Sequence, residues 1–279
     1  MYTNTNKKIN FFDLGLYDGA TTLIFVDLLI KLGITNYNVY GFEACRIYYN
    51  FCERRRASLP EPEKFKFFNC AISNKDGFVE LYYSQNAVGN SIFKTKNKKS
   101  PELLKGLVAW DQALGLVVIP EFLTLYPDLV ANYLFSLGIT LVSYDAQRHE
   151  GGHISLKTPL LEGFWVTHKP VEYENVQSIL FSNWLKNNVS DLESSINVLK
   201  VNIEGAEIHL FEDLVNSGLI KHFDIICGPD DDVEKVPELS NRVKEYKDLL
   251  KDNNIIINRF SDWKPERNTD IKQLIKELL

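Results

Sequence analysis

The chain has no uncharged apolar run long enough to cross a bilayer, which argues against a transmembrane helix as its organising element. It also lacks a long basic stripe. Lys and Arg number 31 against 37 Asp and Glu, a net charge of -6, and the basic cluster KTKNKK (Lys94 to Lys99) reads as a solvated loop rather than a track for a phosphate backbone. No nucleic-acid partner is therefore expected. Cysteine is sparse: Cys45, Cys52, Cys70 and Cys227 stand apart, none in CxxC spacing, which argues against a zinc knuckle or a dithiol redox motif and favours buried, reduced thiols. The N-terminal stretch reaches an acid at Asp13 with no apolar core behind its lysines, so it does not read as a secretory signal. These absences together predict a cytoplasmic protein with no membrane span. Internal repeats and low-complexity segments are absent too.

What is present is material for a core. The 279 residues are 45% hydrophobic and 12% aromatic, enough for one large domain or two small ones. INFFDL reads as a buried strand, TTLIFVDLLIKLG as a helix ending at Gly33, and NYNVYGFEA as a second strand. CRIYYNFCERRRA is a second helix and KFKFFNCAI a third strand. This βαβαβ alternation predicts an α/β fold with a doubly wound, mostly parallel, Rossmann-like sheet. SNKDGFVELYYS then suits a hairpin or an edge strand.

The alternation lapses from about Lys98 to Lys169, where the spacing is mostly helical but broken by Pro120 and Pro127. The segment predicts a largely helical inserted cap over 99–168, dividing the core into 1–98 and 169–279. Its aromatic residues Trp110, Phe122, Tyr126, Tyr133 and Phe135 are expected to pack on the sheet or on a second subunit, and next to line an acceptor pocket, so a homo-oligomer through the insertion is one expectation. The core pattern resumes with VQSILFSNWLKNN. SINVLKVNIEGAEIHLFEDLVNSG reads as a strand passing into a helix, HFDIICG as a strand, PELSNRVKEYKDLLKDN as a helix, IIINRF as a strand and DIKQLIKELL as an amphipathic tail.

The first strand-to-helix turn, FFDLGLYDGATT, carries the first chemical signal. In a doubly wound sheet, ligands bind outside the carboxyl ends of the strands, where glycines admit a ligand and helix N-termini offer free N–H groups. Asp13, Gly15 and Gly19 fall at that edge. Glu43 closes the next strand, 28 residues after Gly15, as an exposed carboxylate suited to ribose hydroxyls. A dinucleotide fingerprint wants G-x-G-x-x-G, but this turn reads D-x-G-x-x-x-G with Tyr17 where pyrophosphate would approach. An acid ahead of the glycines suits a cofactor with a cationic amino-acid end, which favours S-adenosylmethionine. Glycines that merely shape the turn are the competing explanation, and that explanation leaves Glu43 unaccounted for.

FFDLGLYDGATT, VYGFEA, NCAISNKDGFVELYYS, NSIF and VLKVNIEGAE follow in the order and spacing of the motifs of FkbM-type S-adenosylmethionine-dependent methyltransferases, and the chain resembles that family over roughly residues 9–95 and 171–228. The resemblance implies a class I methyltransferase fold and O-methylation of a hydroxyl on a sugar, glycan or other small acceptor. It also implies adenine packing near Asn69, Ala71 and Ile72. The family usually reads Lys-Ile-Asp-Ile-Glu-Gly where this chain has Lys200, Val201, Asn202, Ile203, Glu204 and Gly205, so an acid is replaced by an amide at Asn202.

Methyl transfer to a hydroxyl requires alignment and gains from a base that takes the proton. Glu204 and Glu207 share a face at a helix start, and Glu204, nearer the strand end, is the preferred base; Glu207 is as well explained by the electrostatics of a helix N-terminus. Asn202 and His153 complete the catalytic candidates. His149 and His153 flank a Glu-Gly-Gly loop, an arrangement too weak to predict a metal site. Two rivals stay open: an NAD(P)-dependent sugar oxidoreductase, and a catalytically degenerate methyltransferase fold acting as a binding protein.

Overall fold

The computed structural model describes residues 7–82, 90–94, 173–229, 231–260 and 270–279, together with the backbone of five strands between 105 and 170. Strand β1 (Ile9–Leu14) leads into helix α1 (Ala20–Lys31), β2 (Tyr37–Phe42), α2 (Arg46–Ala57) and β3 (Phe65–Phe68). Two short strands follow, β4 (Ala71–Ile72) and β5 (Gly77–Tyr82). Five more, β6 (Lys105–Asp111), β7 (Gly115–Ile119), β8 (Asp145–His149), β9 (His153–Thr158) and β10 (Leu161–Pro170), belong to the insertion. The chain then continues through β11 (Tyr173–Ile179), α3 (Phe181–Asn188), β12 (Ile196–Val201) and α4 (Glu207–Asn216). Strand β13 (Ile225–Cys227), α5 (Val243–Asp252), β14 (Ile257–Asn258) and α6 (Ile271–Leu278) complete it.

Six parallel strands make the central sheet, in the order β3-β2-β1-β12-β13-β14. Counted in their own succession this is 3-2-1-4-5-6, a doubly wound, Rossmann-like α/β order. Strands β1 and β12 are buried along their whole length, as a parallel sheet covered on both faces requires. Their alternation sorts the core. Phe12 and Leu14 join Leu199 and Val201 under α3, α4 and α5, while Ile9 and Phe11 join Ile196 and Val198 under α1 and α6. The chain reverses its direction of winding between β1 and β12, so the switch point lies where Gly15 and Asn202 leave the sheet.

Three sequence expectations change. KFKFFNCAI is not one strand: β3 ends at Phe68, and β4 pairs with β11 in a separate three-stranded sheet, β4-β11-β5. Strand β5 is an edge strand, one of the two readings of SNKDGFVELYYS, and it is matched to a segment about a hundred residues away. In the insertion, the described residues are strands rather than helices. They form a five-stranded antiparallel sheet, β7-β6-β10-β9-β8. The β-branched residues Val108, Val117, Val118 and Ile119, with Gly106 and Gly115, disfavour the helix that apolar spacing alone indicated. Residues 120–144, with Phe122, Tyr126, Tyr133 and Phe135, lie outside the described residues. At the C-terminal end, PELSNRV begins with a 3-10 turn and the helix starts only at Val243. Among the described residues, no helix is long and apolar enough to cross a membrane.

Candidate active-site cleft at the sheet switch point

A cleft of about 860 Å³, open solvent included, lies outside the carboxyl ends of β1, β2 and β12. Its walls are Gly15 to Asp18 and Thr21 after β1, Glu43, Ala44 and Tyr48 after β2, and Cys70 to Ile72 after β3. Lys200, Asn202 to Glu204 and Ala206 close it from β12, with Leu81, Asn90 and Ile92 on the remaining side. The sheet thus brings together Gly15, Glu43, Ala71, Ile72, Asn202 and Glu204 from the sequence candidates. Asp13, Gly19 and Asn69 are not among the lining residues, and the side chain of His153 lies outside the described residues.

Asp13 is fully buried, and its carboxylate is already engaged. It faces its register partner Lys200, whose Nζ lies 2.8 Å from one oxygen, and it accepts the Thr22 hydroxyl at 2.5 Å on the other. Lys200 also donates to the Gly15 carbonyl at 2.6 Å. This pair ties β1, its turn and β12 together, so Asp13 does not face a cationic ligand as its sequence position indicated. Two opposite charges near the ends of otherwise apolar buried strands were the signal in the sequence.

Gly15 has a φ of 86°, and a Cβ there would fall 1.9 Å from the Asn202 carbonyl oxygen. The close neighbour is therefore the protein's own backbone. Gly19 has a φ of 74° and caps α1, while Asp18 accepts the Ala20 N–H at 2.9 Å. A carboxylate thus occupies the N-terminus of the first helix.

Glu43 is 9% exposed, not an open strand-end carboxylate. One of its oxygens accepts the Tyr17 N–H and the other the Cys45 N–H, each at 2.8 Å. Each oxygen keeps a second lone pair for a ligand hydroxyl. Burial raises its pKa to about 7, against the pull of those two N–H groups and of Lys200. Asn69 lies behind it, donating to the carbonyls of Glu43 and Ala44 at 2.8 and 3.0 Å, and so shapes this loop without entering the cleft. Cys70 lines the cleft, but its thiol is pushed up to about 12 by burial and by Glu43, which rules out a thiolate nucleophile at neutral pH.

On the β12 side, Glu207 accepts the N–H groups of Ile203 and Gly205 at 2.8 and 2.6 Å. It is buried and staples the turn between β12 and α4, with its pKa raised by burial and then by Asp232. Glu204, within that turn, adopts a φ of 59°, and Tyr17 adopts 52° in the opposite wall. Non-glycine residues held in the left-handed region cost about 1–3 kcal/mol each and concentrate at ligand sites. The Asn202 side chain lines the cleft with no hydrogen-bond partner among the described residues.

No family model, curated protein or solved structure matches the chain.

The site's chemistry accordingly rests on its own residues. Among the lining side chains Asp18, Glu43 and Glu204 are acidic, and the cation, Lys200, is paired with Asp13. Strands β8 and β9 set His149 and His153 directly opposite one another, which replaces the expected loop with a strand pair; their side chains lie outside the described residues. Among the described residues, no group of three His, Cys, Asp or Glu side chains is arranged to hold a metal ion. Sequence reasoning missed Asp18, Tyr48, Asn90 and Ile92 as cleft residues. An Asp directly before a glycine and a helix was the available signal for Asp18.

Proposed function

We propose that the protein is an S-adenosylmethionine-dependent methyltransferase acting on a hydroxyl of a sugar, glycan or other small acceptor. The observation that carries this reading is the charge of the cleft at the sheet switch point. A dinucleotide would bring its pyrophosphate to the N-terminus of the first helix, where Asp18 already accepts the Ala20 N–H. Among the described lining residues, three carboxylates stand against one cation, Lys200, which Asp13 already pairs, and that balance suits a ligand bearing sulfonium and ammonium charges. The strand order and the acid Glu43 after β2 both also fit the NAD(P)-dependent alternative, since dinucleotide folds share them.

Glu43 would hold the ribose hydroxyls, and Ala71 and Ile72 would form the apolar wall for the base. When bound, the cofactor supplies an electrophilic methyl group. Glu204 would take the acceptor's hydroxyl proton, and the amide of Asn202 would orient the acceptor. An amide in place of the acid usual in the resembled family keeps that orienting capacity and leaves proton removal to Glu204.

The test is a comparison of ligands by thermal shift and calorimetry. S-adenosylhomocysteine at 100-fold excess over its Kd should raise Tm by roughly 5 °C or more, with no response to NAD(P). Stabilisation by NAD(P) alone would favour the oxidoreductase reading. Binding of S-adenosylmethionine without turnover on any acceptor would favour the binding protein.

A pH dependence follows from Glu43. Only the ionised carboxylate can accept both ribose hydroxyls while keeping its two N–H groups, so binding should release a proton. With the pKa at about 7, apparent S-adenosylhomocysteine affinity should be about 10-fold weaker at pH 6 than at pH 8. For the unliganded fold the sign is opposite. A raised carboxyl pKa makes its contribution to stability complete below about 4.5, and that contribution is lost as pH rises through about 7. Glu43→Gln should remove the pH step in affinity and weaken binding roughly 10-fold or more at pH 8. It should also lower Tm, because one of the two N–H groups then faces an amide NH2. Titration calorimetry at the two pH values checks this, and a pH step that survives in the variant assigns it to another group.

A further inference from the structure

The segment Asn90 to Phe93 adds Asn90 and Ile92 to the cleft lining, and one residue fastens it. Ser91 is 1% exposed and exchanges both backbone hydrogen bonds with Tyr82, at 2.7 and 3.0 Å. Its hydroxyl donates to the carbonyl of Glu204 at 2.7 Å and accepts the Phe93 N–H at 3.1 Å. Phe93 packs where a Gly205 Cβ would stand, 3.3 Å away. The peptide units around Glu204 are thus fixed on both sides: Glu207 takes the N–H groups of Ile203 and Gly205, and Ser91 takes the Glu204 carbonyl. The left-handed φ of 59° at Glu204, a non-glycine residue, is the kind of strained conformation that such external support holds in place.

We propose that Ser91 is a positioning residue: by clamping the Glu204 carbonyl it holds the Glu204 carboxylate in the cleft, where its negative charge acts on the sulfonium of bound S-adenosylmethionine. The inference rests on the methyltransferase reading. It makes Ser91 a determinant of how the site distinguishes cofactor from product, because S-adenosylmethionine carries a sulfonium charge that S-adenosylhomocysteine lacks. A carboxylate a few ångströms from that charge favours the cation, and a misplaced one loses the preference while leaving shared adenosine contacts in place.

The experiment measures the ratio of the two dissociation constants by calorimetry. Ser91→Ala should weaken S-adenosylmethionine binding about 5-fold more than S-adenosylhomocysteine binding. Glu204→Gln should shift the ratio in the same direction, and the double variant should add little, as expected for residues acting through one contact. Ser91→Thr, which keeps the hydroxyl, should restore the wild-type ratio. Should Ser91→Ala not fold, Ser91→Cys, with its weaker donor, must show the same shift. An equal loss for both ligands, or no change, overturns the proposal and leaves Ser91 with a packing role. If the wild-type protein binds neither ligand, it is the methyltransferase reading that fails.

Discussion

Gly15→Ala is expected to destabilise the fold by more than about 4 kcal/mol, enough to remove soluble, folded protein at ordinary expression temperatures. The added Cβ would lie 1.9 Å from the oxygen and 2.9 Å from the carbon of the Asn202 carbonyl. Both are backbone atoms of the residue that follows β12, so no rotamer change relieves the overlap. Relief requires β1 and β12 to part, which breaks the Asn202 N–H bond to the Leu14 carbonyl at 2.9 Å and the Lys200 bond to Gly15 at 2.6 Å. The left-handed φ adds about 1–2 kcal/mol for any residue with a Cβ. Gly33 provides the control, with a φ of 74° and nothing within 4 Å of the added carbon. Gly33→Ala should therefore show only the conformational cost, and urea unfolding of the two variants separates the contributions. If Gly15→Ala melted no lower than Gly33→Ala, the close approach of the two strand ends would be wrong.

Lys200→Met is expected to cost about 3–5 kcal/mol, because it leaves the Asp13 carboxylate buried with one neutral partner, Thr22. The same change also deprives the Gly15 carbonyl of its donor. Much of the loss is the penalty of an uncompensated charge, not the net worth of the pair, so removing the charge should recover it. Asp13→Asn combined with Lys200→Met should regain at least half of the lost stability, since the amide can still accept the Thr22 hydroxyl. Denaturant midpoints of the singles and the double form the cycle. Strictly additive losses would show that the two residues do not act as a pair.

These two results bear on what could be read in advance. The central sheet was legible because its strands are continuous apolar runs separated by helices of the right length, with INFFDL and INVLKV the clearest. Of the glycines and acids of FFDLGLYDG, Gly15 and Asp18 line the cleft, while Asp13 and Gly19 do not, and the partners of this turn were not legible. Gly15 and Asp13 answer to Asn202 and Lys200, about 185 residues downstream, and spacing within one turn carries no trace of a neighbour that far away. Glu43 follows β2 as its sequence position indicated, but it is buried rather than exposed, because the N–H groups that surround it belong to Tyr17 and Cys45 in two different loops. The insertion was misread for another reason: apolar residues spaced for a helix outweighed its β-branched content, and strands such as β10 depend on cross-strand pairing that no local window contains.

All four cysteines are buried and none is in a disulfide, and burial raises the pKa of Cys52, Cys70 and Cys227. They sit at separate places: Cys45 and Cys52 on the α2 side of the cleft, Cys70 between two sheets, and Cys227 in the central sheet beside β12. Alkylation of any of them must wait for the surrounding structure to open, so labelling rates under native conditions become a set of internal clocks for local opening. Ligand that closes the cleft should slow the clock at Cys70, while the one at Cys227 keeps time with the unfolding of the sheet itself.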